Sequence, residues 1–408
     1  MNLTQHAAPH RAATVVDLDP VASASALISS LRSRSAETDA LAKLPDETIT
    51  DIEGARLFDL VVPKIYGGLQ ASLDTWMDTV VQLGKGDGST AWTVGLRAAS
   101  TWMFLTAFPK HVVDDVFAIS RKLSVASVLV PRRVKTRRVD GGVVIEDGLW
   151  GFNSGVLHAQ WDLLGIPILS EDGQIVDRGV ALVPTSQVTP MNDWNTIGLR
   201  GSGSISVTAK DVFVPSERIA PLSKILREDY ACTHLRDAPL YRIPLIPLLA
   251  TNLVLPALGM AKAALALFVE GIGKRGIAYT TYDRQDEAAV THLQLGEASA
   301  KIDAAESVIR RSVTALEASG AREAERMTLD ERTRIWRDAG FASQLIWEAV
   351  NMLAGASGGS LANVGNPMTR LWLDVRVAGL HGAICTSTTM ELFGRLLAGK
   401  KPNSPLLV

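Results

Sequence analysis

The sequence predicts an α+β fold that is mostly α: an N-terminal helical domain, a small central β-barrel or sandwich domain, and a C-terminal four-helix bundle. Three observations predict it. Apolar residues recur at helical spacing from about 21 to 117. From about 123 to 218 the pattern changes to short β-rich runs divided by Gly, Pro and Asp turns. From about 244 long helical stretches return, with helix-start signals between them. The expected units are a flexible arm over 1–20, a helical domain over 21–120, a β domain over 121–235 and the bundle over 236–408.

Residues 1–20 are polar without a sustained apolar run, which suits an arm and not a secretory signal. Residues 22–41 are amphipathic, with Leu27, Ile28 and Leu31 at helical spacing. Pro45-Asp46 opens a second helix, Pro63 with Gly67-Gly68 marks a loop, and 73–84 and 89–108 form two further helices. In the middle region the strands are expected at 143–145, 163–169, 179–183 and 204–214, and Asp140-Gly141-Gly142 predicts a hairpin. The bundle is expected from four segments, roughly 245–275, 284–319, 329–355 and 367–398. Asp283 with Asp286 and Glu287 opens the second, Asp330-Glu331 the third, and Asn366-Pro367 supplies an N-cap and a first-turn proline for the fourth. The apolar stretch 245–264 contains Pro247, Asn252, Pro256 and Gly259, so a buried helix start is expected there in preference to a membrane span.

Composition narrows the classes of function. The 408 residues are 47% hydrophobic and 21% charged, an ordinary globular balance. The 41 basic and 43 acidic side chains leave a net charge of −2, which argues against nucleic acid as a partner. Cys232 and Cys385 lack CxxC spacing and the seven histidines lack HExxH, so neither a disulfide scaffold nor a zinc site is expected. His6 and His10 are separated by Pro9 and make a poor helical ligand pair. A reduced, cytoplasmic protein is the expectation.

Two segments carry chemistry. Residues 150–161 read W-G-F-N-S-G-V-L-H-A-Q-W. A strand ending in Asn153-Ser154-Gly155 allows close backbone approach to a flat ligand, and Ser154 offers a hydroxyl that donates and accepts. The plain alternative is a strand end with a turn. Residues 197–215 read I-G-L-R-G-S-G-S-I-S-V-T-A-K-D-V-F-V-P. Gly201-Ser202-Gly203 precedes a strand and not a helix N-terminus, so the mechanics of a Rossmann or P-loop phosphate site are missing.

Together these segments resemble the flavin-lined β domain of the acyl-CoA dehydrogenase superfamily. Its G-x-R-G-S-x-S/T block, followed by a strand and V-x-V-P, is matched by Gly198, Arg200, Gly201, Ser202, Ser204 and residues 212–215. The resemblance covers about 40–397 and implies an acyl-CoA dehydrogenase-like fold. Dehydrogenases of this superfamily abstract an α-proton with a glutamate placed shortly after an R-D pair. Here Arg370, Trp372 and Asp374 stand at that place, Leu373 replaces the arginine of the pair, and Gly382 follows His381 where the glutamate would fall. Without that carboxylate the proton abstraction has no base. A histidine there, together with the S-G-x-x-H segment, resembles the oxygenase components of two-component flavin-dependent monooxygenases, in the branch that hydroxylates 4-hydroxyphenylacetate or hydroxylated steroid fragments.

That resemblance implies reduced FMN or FAD supplied by a separate NAD(P)H-dependent flavin reductase. With dioxygen the flavin would form a C4a-hydroperoxyflavin that hydroxylates a small, aromatic substrate. The lack of an NAD fingerprint agrees with this division of labour. The implied catalytic residues are His381, taking a phenolic proton, and Ser154. The implied cofactor-binding residues are Trp92, Ser127, Phe152, Ser154, Arg284, Ser357 and Ser360, with Arg284 reaching a neighbouring subunit's flavin phosphate. Ser100, His158 and His381 are implied for the substrate pocket. Each has a plainer reading: core packing for Trp92 and His381, packing against Trp161 for His158, a solvated charge for Arg284, and helix capping for Ser357 and Ser360. The resemblance also implies a homotetramer, a dimer of dimers, with neither nucleic acid nor membrane as partner. Three alternatives remain open: N- or S-oxygenation within the same branch, an FAD-dependent acyl-CoA dehydrogenase-like oxidoreductase with its base elsewhere, and a flavin-binding scaffold without catalysis.

Overall fold

The computed structural model describes residues 18–120, 123–322 and 325–407. The expected arm lies outside the described residues except at its last three positions, 18–20. The chain opens with five helices: α1 (Pro20–Leu41), α2 (Asp46–Gly54), α3 (Leu73–Gly86), α4 (Gly88–Ala107) and α5 (Lys110–Ile119). Three of them start at side-chain caps that satisfy otherwise orphaned amides: Asp19 for α1, Ser72 for α3 and Asp87 for α4. α4 is buried on all sides, and Leu96 is its one residue outside the buried class. Trp92, Leu96 and Ser100, four residues apart along α4, therefore share one helix face.

The β region contains β1 (Val125–Val128), β2 (Arg133–Val139), β3 (Gly142–Trp150), β4 (Trp161–Leu169), β5 (Ile175–Pro184), β6 (Thr189–Pro190), β7 (Val207–Pro215) and β8 (Ile219–Pro221). They form two four-stranded sheets, ordered β1-β4-β5-β8 and β2-β3-β7-β6. The β1–β4 pair is parallel and the other pairs are antiparallel. Ile145, Trp150, Leu164, Ile166, Val183 and Val207 share one apolar cluster drawn from both sheets, which is the sandwich arrangement. The expected hairpin joins β2 to β3, with Val139 opposite Gly142 and Gly141 at φ 75°. The run expected to be strand from 204 begins its ladder only at Val207, which frees Ser204 for the site described below.

After the short α6 (Leu222–Leu226) come α7 (Leu245–Ile272), α8 (Ala289–Ala321), α9 (Leu329–Ala356), α10 (Pro367–Ala378) and α11 (Thr386–Leu397). α7 is long and apolar enough to cross a membrane, yet 72% of that window is buried inside the fold. It packs against α3, α4, α8, α9 and α10 and is the central helix of the bundle. α9 starts at a capping box between Thr328 and Glu331, and Asn366 caps α10 ahead of Pro367 as expected.

Two bundle expectations need correction. The second helix begins at Ala289 and not near 284, because Gln285–Glu287 form a separate 3-10 turn and Ala288 is extended. The stretch 367–398 is not one helix. It breaks between Ala378 and Thr386, where His381 takes an extended backbone (φ −62°, ψ 127°) and Gly382–Ile384 form a 3-10 turn. Gly379 and Gly382 weaken helical continuity there. The backbone groups freed by the break are taken up by side chains: Ala383 N–H donates to His381 Nδ1 at 3.2 Å, and its carbonyl accepts from Trp336 Nε1 at 2.5 Å.

Candidate active site

A cavity of about 660 Å³ lies where α4, β1, the turn after β3, the segment before β7 and the α10–α11 break converge. Trp92, Leu96 and Ser100 form the α4 wall, Ser127 comes from β1, and Phe152 and Ser154 come from the turn. Val377, Leu380, His381 and Gly382 line the side of the break. Six residues expected from sequence are thus brought to one cavity: Trp92, Ser100, Ser127, Phe152, Ser154 and His381.

Four expected residues lie elsewhere. His158 does not line the cavity. It sits on the 3-10 turn after Gly155 with its Nε2 buried and unpartnered, and burial with nearby Arg97 pushes its pKa down to about 4. Arg284 pairs with Asp286 and Glu287. Ser357 Oγ donates to Leu353 O at 2.9 Å and Ser360 Oγ to Ser357 O at 3.2 Å, both bonds that finish the end of α9.

The turn that presents Ser154 is held on both sides. Phe152 has φ 62° and Gly155 φ 77°, left-handed conformations that are uncommon for a phenylalanine and free for glycine. Between them Asn153 is fully buried, donating its N–H to Ile205 O at 3.0 Å and its Nδ2 to Asp162 Oδ2 at 2.5 Å. Ser154 consequently faces Trp92, whose Nε1 donates to Ser154 Oγ at 3.2 Å. From Ser154 a hydroxyl chain runs on to Ser204 at 2.6 Å and from there to Ser202 at 2.8 Å. A second hydroxyl pair, Ser100 with Ser127, is 2.7 Å apart.

His381 lies 6.0 Å from the Trp92 ring, centroid to centroid. Although the side chain keeps an exposed face, desolvation by the protein packed around it lowers its pKa from the ordinary histidine value, which favours the neutral ring. Because Nδ1 accepts the Ala383 amide, the proton of that neutral ring resides on Nε2.

Sequence reasoning flagged 197–215 but named no site residue in the segment 194–199, which supplies Trp194, Asn195, Thr196, Ile197 and Leu199 to the cavity wall. Trp194 meets the Phe152 ring edge to face at 6.0 Å. The segment is pinned to α10 by Leu199 N–H, which donates to Asp374 Oδ1 at 2.6 Å from a left-handed Leu199. Gly198 makes this close docking possible, since a Cβ there would stand 2.4 Å from Leu373 O. Its place in the G-x-R-G-S block was the available signal. Asp374 is buried, and that burial raises its pKa well above the usual carboxylate range. The cation near it is Arg370, which binds Asp39 at 2.9 Å.

The walls are mostly apolar and aromatic, the polar side chains are hydroxyls, the Asn195 amide and the His381 imidazole, and no carboxylate lines the cavity among the described residues. Its size suits a flat cofactor ring with a small substrate. Among the described residues it has no carboxylate to take an α-proton from an acyl thioester.

Residues 252–385 match the family model for the acyl-CoA dehydrogenase C-terminal domain. The chain is 30% identical over 372 residues to the oxygenase subunit HsaA of a flavin-dependent monooxygenase from Rhodococcus jostii, covering 90% of this chain and 95% of that protein. It is 27% identical to the oxygenase component of an FADH2-dependent resorcinol hydroxylase from Rhizobium, covering 98% and 99%. Among solved structures, XiaF from Streptomyces in complex with FADH2 and glycerol aligns with a TM-score of 0.88 at 30% identity, covering 96% and 97%.

Proposed function

Because the chain belongs to the oxygenase subunits of flavin-dependent monooxygenases, on the acyl-CoA dehydrogenase fold, we propose that its cavity hydroxylates a small aromatic substrate. The observation that carries this reading is a single cavity containing Trp92, Ser154 and His381 and lined by no carboxylate. Reduced flavin, FMN or FAD, delivered by a separate reductase, supplies with dioxygen the oxygen atom that is transferred.

This chain's own residues bind, orient and keep the site dry. Ser154 meets the redox-active edge of the flavin ring, held in place by the Trp92 indole N–H. Trp92, Phe152 and Trp194 exclude water from that edge. Ser127 would contact the ring, and Ser100, hydrogen-bonded to it, would stand on the substrate side. His381 presents Nε2–H as a donor to the oxygen or heteroatom of the substrate. This differs from the base expected from sequence: Nδ1 is occupied by the Ala383 amide and Nε2 already carries the proton. A phenolic substrate bound as its phenolate, the proton having gone to solvent, would have its oxygen charge stabilised by this donor, with no proton removed by the imidazole.

Arg284, Ser357 and Ser360 are assigned to the phosphate end of a flavin bound across a homotetramer interface. The support is their proximity: Gln285 Nε2 donates to Ala356 O and Arg275 Nη1 to Ser357 O, both at 3.0 Å, which ties their two segments together.

The test combines the purified protein with NADH, a flavin reductase, FMN or FAD, and a panel of simple phenols, following oxygen consumption and product. Oxygen-dependent hydroxylation supports the reading. A tightly bound flavin that is reduced by an acyl-CoA, with no hydroxylated product, overturns it.

A further inference from the structure

The hydroxyl chain at the cavity has a constraint that its distances impose. An indole N–H is a donor only, so Ser154 Oγ must accept from Trp92. That leaves Ser154 one hydrogen and one lone pair. The 2.6 Å contact between Ser154 and Ser204 requires one of the two to donate, and the 2.8 Å contact between Ser204 and Ser202 requires the same. Ser204 and Ser202 are only 5% and 3% exposed, so bulk water does not readily replace either partner.

Two states of the Ser154 hydroxyl satisfy these contacts. In one, Ser202 donates to Ser204 and Ser204 to Ser154, which leaves the Ser154 hydrogen free to donate into the cavity. In the other, Ser154 donates to Ser204, and its remaining lone pair faces the cavity as an acceptor. Switching between them needs only rotation of hydroxyl hydrogens, with every heavy atom in place.

We propose that Ser204, backed by Ser202, is a positioning residue that lets Ser154 reverse its hydrogen-bond polarity, accepting from the N5–H of reduced flavin and donating to the bare N5 of oxidised flavin. This rests on the flavin reading given above. A site that takes in reduced flavin and ends its cycle with oxidised flavin meets both forms of that ring edge. A hydroxyl locked as donor would oppose N5–H, and one locked as acceptor would oppose N5. Ser204 removes the conflict by taking up or supplying the hydrogen that Ser154 does not use.

In Ser204→Ala, Ser154 can still donate to oxidised N5. To accept from N5–H it must leave its own hydrogen without the Ser204 acceptor. The variant therefore discriminates against reduced flavin by about five- to tenfold, the size of one unmade hydrogen bond. Anaerobic titration of wild type, Ser204→Ala, Ser204→Cys and Ser204→Thr with oxidised and with reduced flavin gives the ratio Kd(oxidised)/Kd(reduced) for each. The expected result is a five- to tenfold fall in that ratio for Ser204→Ala, equivalent at tenfold to a midpoint potential lower by about 30 mV for a two-electron couple. Ser204→Thr, which keeps the hydroxyl, stays within about twofold of wild type. Ser204→Cys, a weak donor and acceptor of similar size, shifts the ratio in the same direction as alanine and carries the test if the alanine variant does not fold. Equal changes in both affinities, or failure of threonine to restore the ratio, overturn the relay while leaving the oxygenase reading intact. A wild-type protein that binds neither flavin form overturns both.

Discussion

His381 accepts the backbone N–H of Ala383 through its Nδ1 at 3.2 Å, and this one bond joins the shape of the fold to the chemistry of the cavity. It caps the 3-10 turn that interrupts the bundle between α10 and α11, and it sets which ring nitrogen carries the proton. The two roles can be separated. His381→Asn keeps a capping acceptor and an N–H donor but has no imidazole, whereas His381→Ala has neither. The asparagine variant should fold with near wild-type stability and hydroxylate about 10- to 100-fold more slowly. The alanine variant should lose that activity and about 1 kcal/mol of stability as well. Urea unfolding beside turnover measurements checks both.

Trp92→Phe keeps the aromatic wall and removes the donor to Ser154 Oγ. Ser154 then gains a second free lone pair and loses its orientation toward the flavin edge. The expected outcome is uncoupling: hydrogen peroxide released per oxygen consumed rises severalfold, on the order of the effect of losing one hydrogen bond, while substrate KM changes little. Peroxide assay against product yield reads this directly.

Asp162 makes stability pH-dependent. Its carboxyl is fully buried, and that burial pushes its pKa up to about 7 from 3.8. The folded state therefore holds a proton that the unfolded state has released between roughly pH 4 and 7, so this group's contribution to stability is lost as pH rises through that window. Asn153 Oδ1 and Asp162 Oδ1 are both without a partner, and an amide at 162 can donate where the carboxylate cannot. Asp162→Asn should be more stable than wild type at pH 8 by about 1–2 kcal/mol, with the advantage shrinking toward pH 5. Unfolding curves at the two pH values measure the difference.

His158 works in the opposite sense. With its pKa near 4 in the folded protein against an ordinary 6.5, the unfolded chain binds more protons between those values, and stability falls as pH drops through them. His158→Gln should flatten that acid limb by about 1–2 kcal/mol and leave hydroxylation within about twofold, because the residue lies outside the cavity. A large loss of activity at neutral pH would contradict that placement.

The 194–199 wall depends on its docking to α10. Gly198→Ala would bring a methyl to 2.4 Å from Leu373 O, and Asp374→Ala would leave the buried Leu199 amide without its acceptor. Each should cost about 2–3 kcal/mol and weaken flavin binding, whereas Asp374→Asn, which still offers an oxygen, should retain most of both. Thermal melts and flavin titration distinguish the three.

Much of this protein was legible in the chain itself, because some signals are local. The Pro45-Asp46 and Asn366-Pro367 helix starts and the Asp140-Gly141-Gly142 turn depend on neighbours in sequence, and each element formed where its own residues direct it. The blocks around Trp92, Ser154 and His381 marked part of the cavity lining through the family resemblance they carry. Only the tertiary structure decided the rest. The α10–α11 break runs against a helical pattern, and it is supported by Trp336 on another helix, whose indole N–H donates to the Ala383 carbonyl. The Trp92–Ser154–Ser204 chain joins residues 62 and 50 positions apart, and the Leu199–Asp374 bond spans 175. His158, four residues after Ser154, lies outside the cavity lining, beyond the left-handed turn at Gly155. Periodicity fixes which face of an element is apolar, but a buried hydrogen bond is chosen by what packing brings within 3 Å, and that is a property of the whole fold.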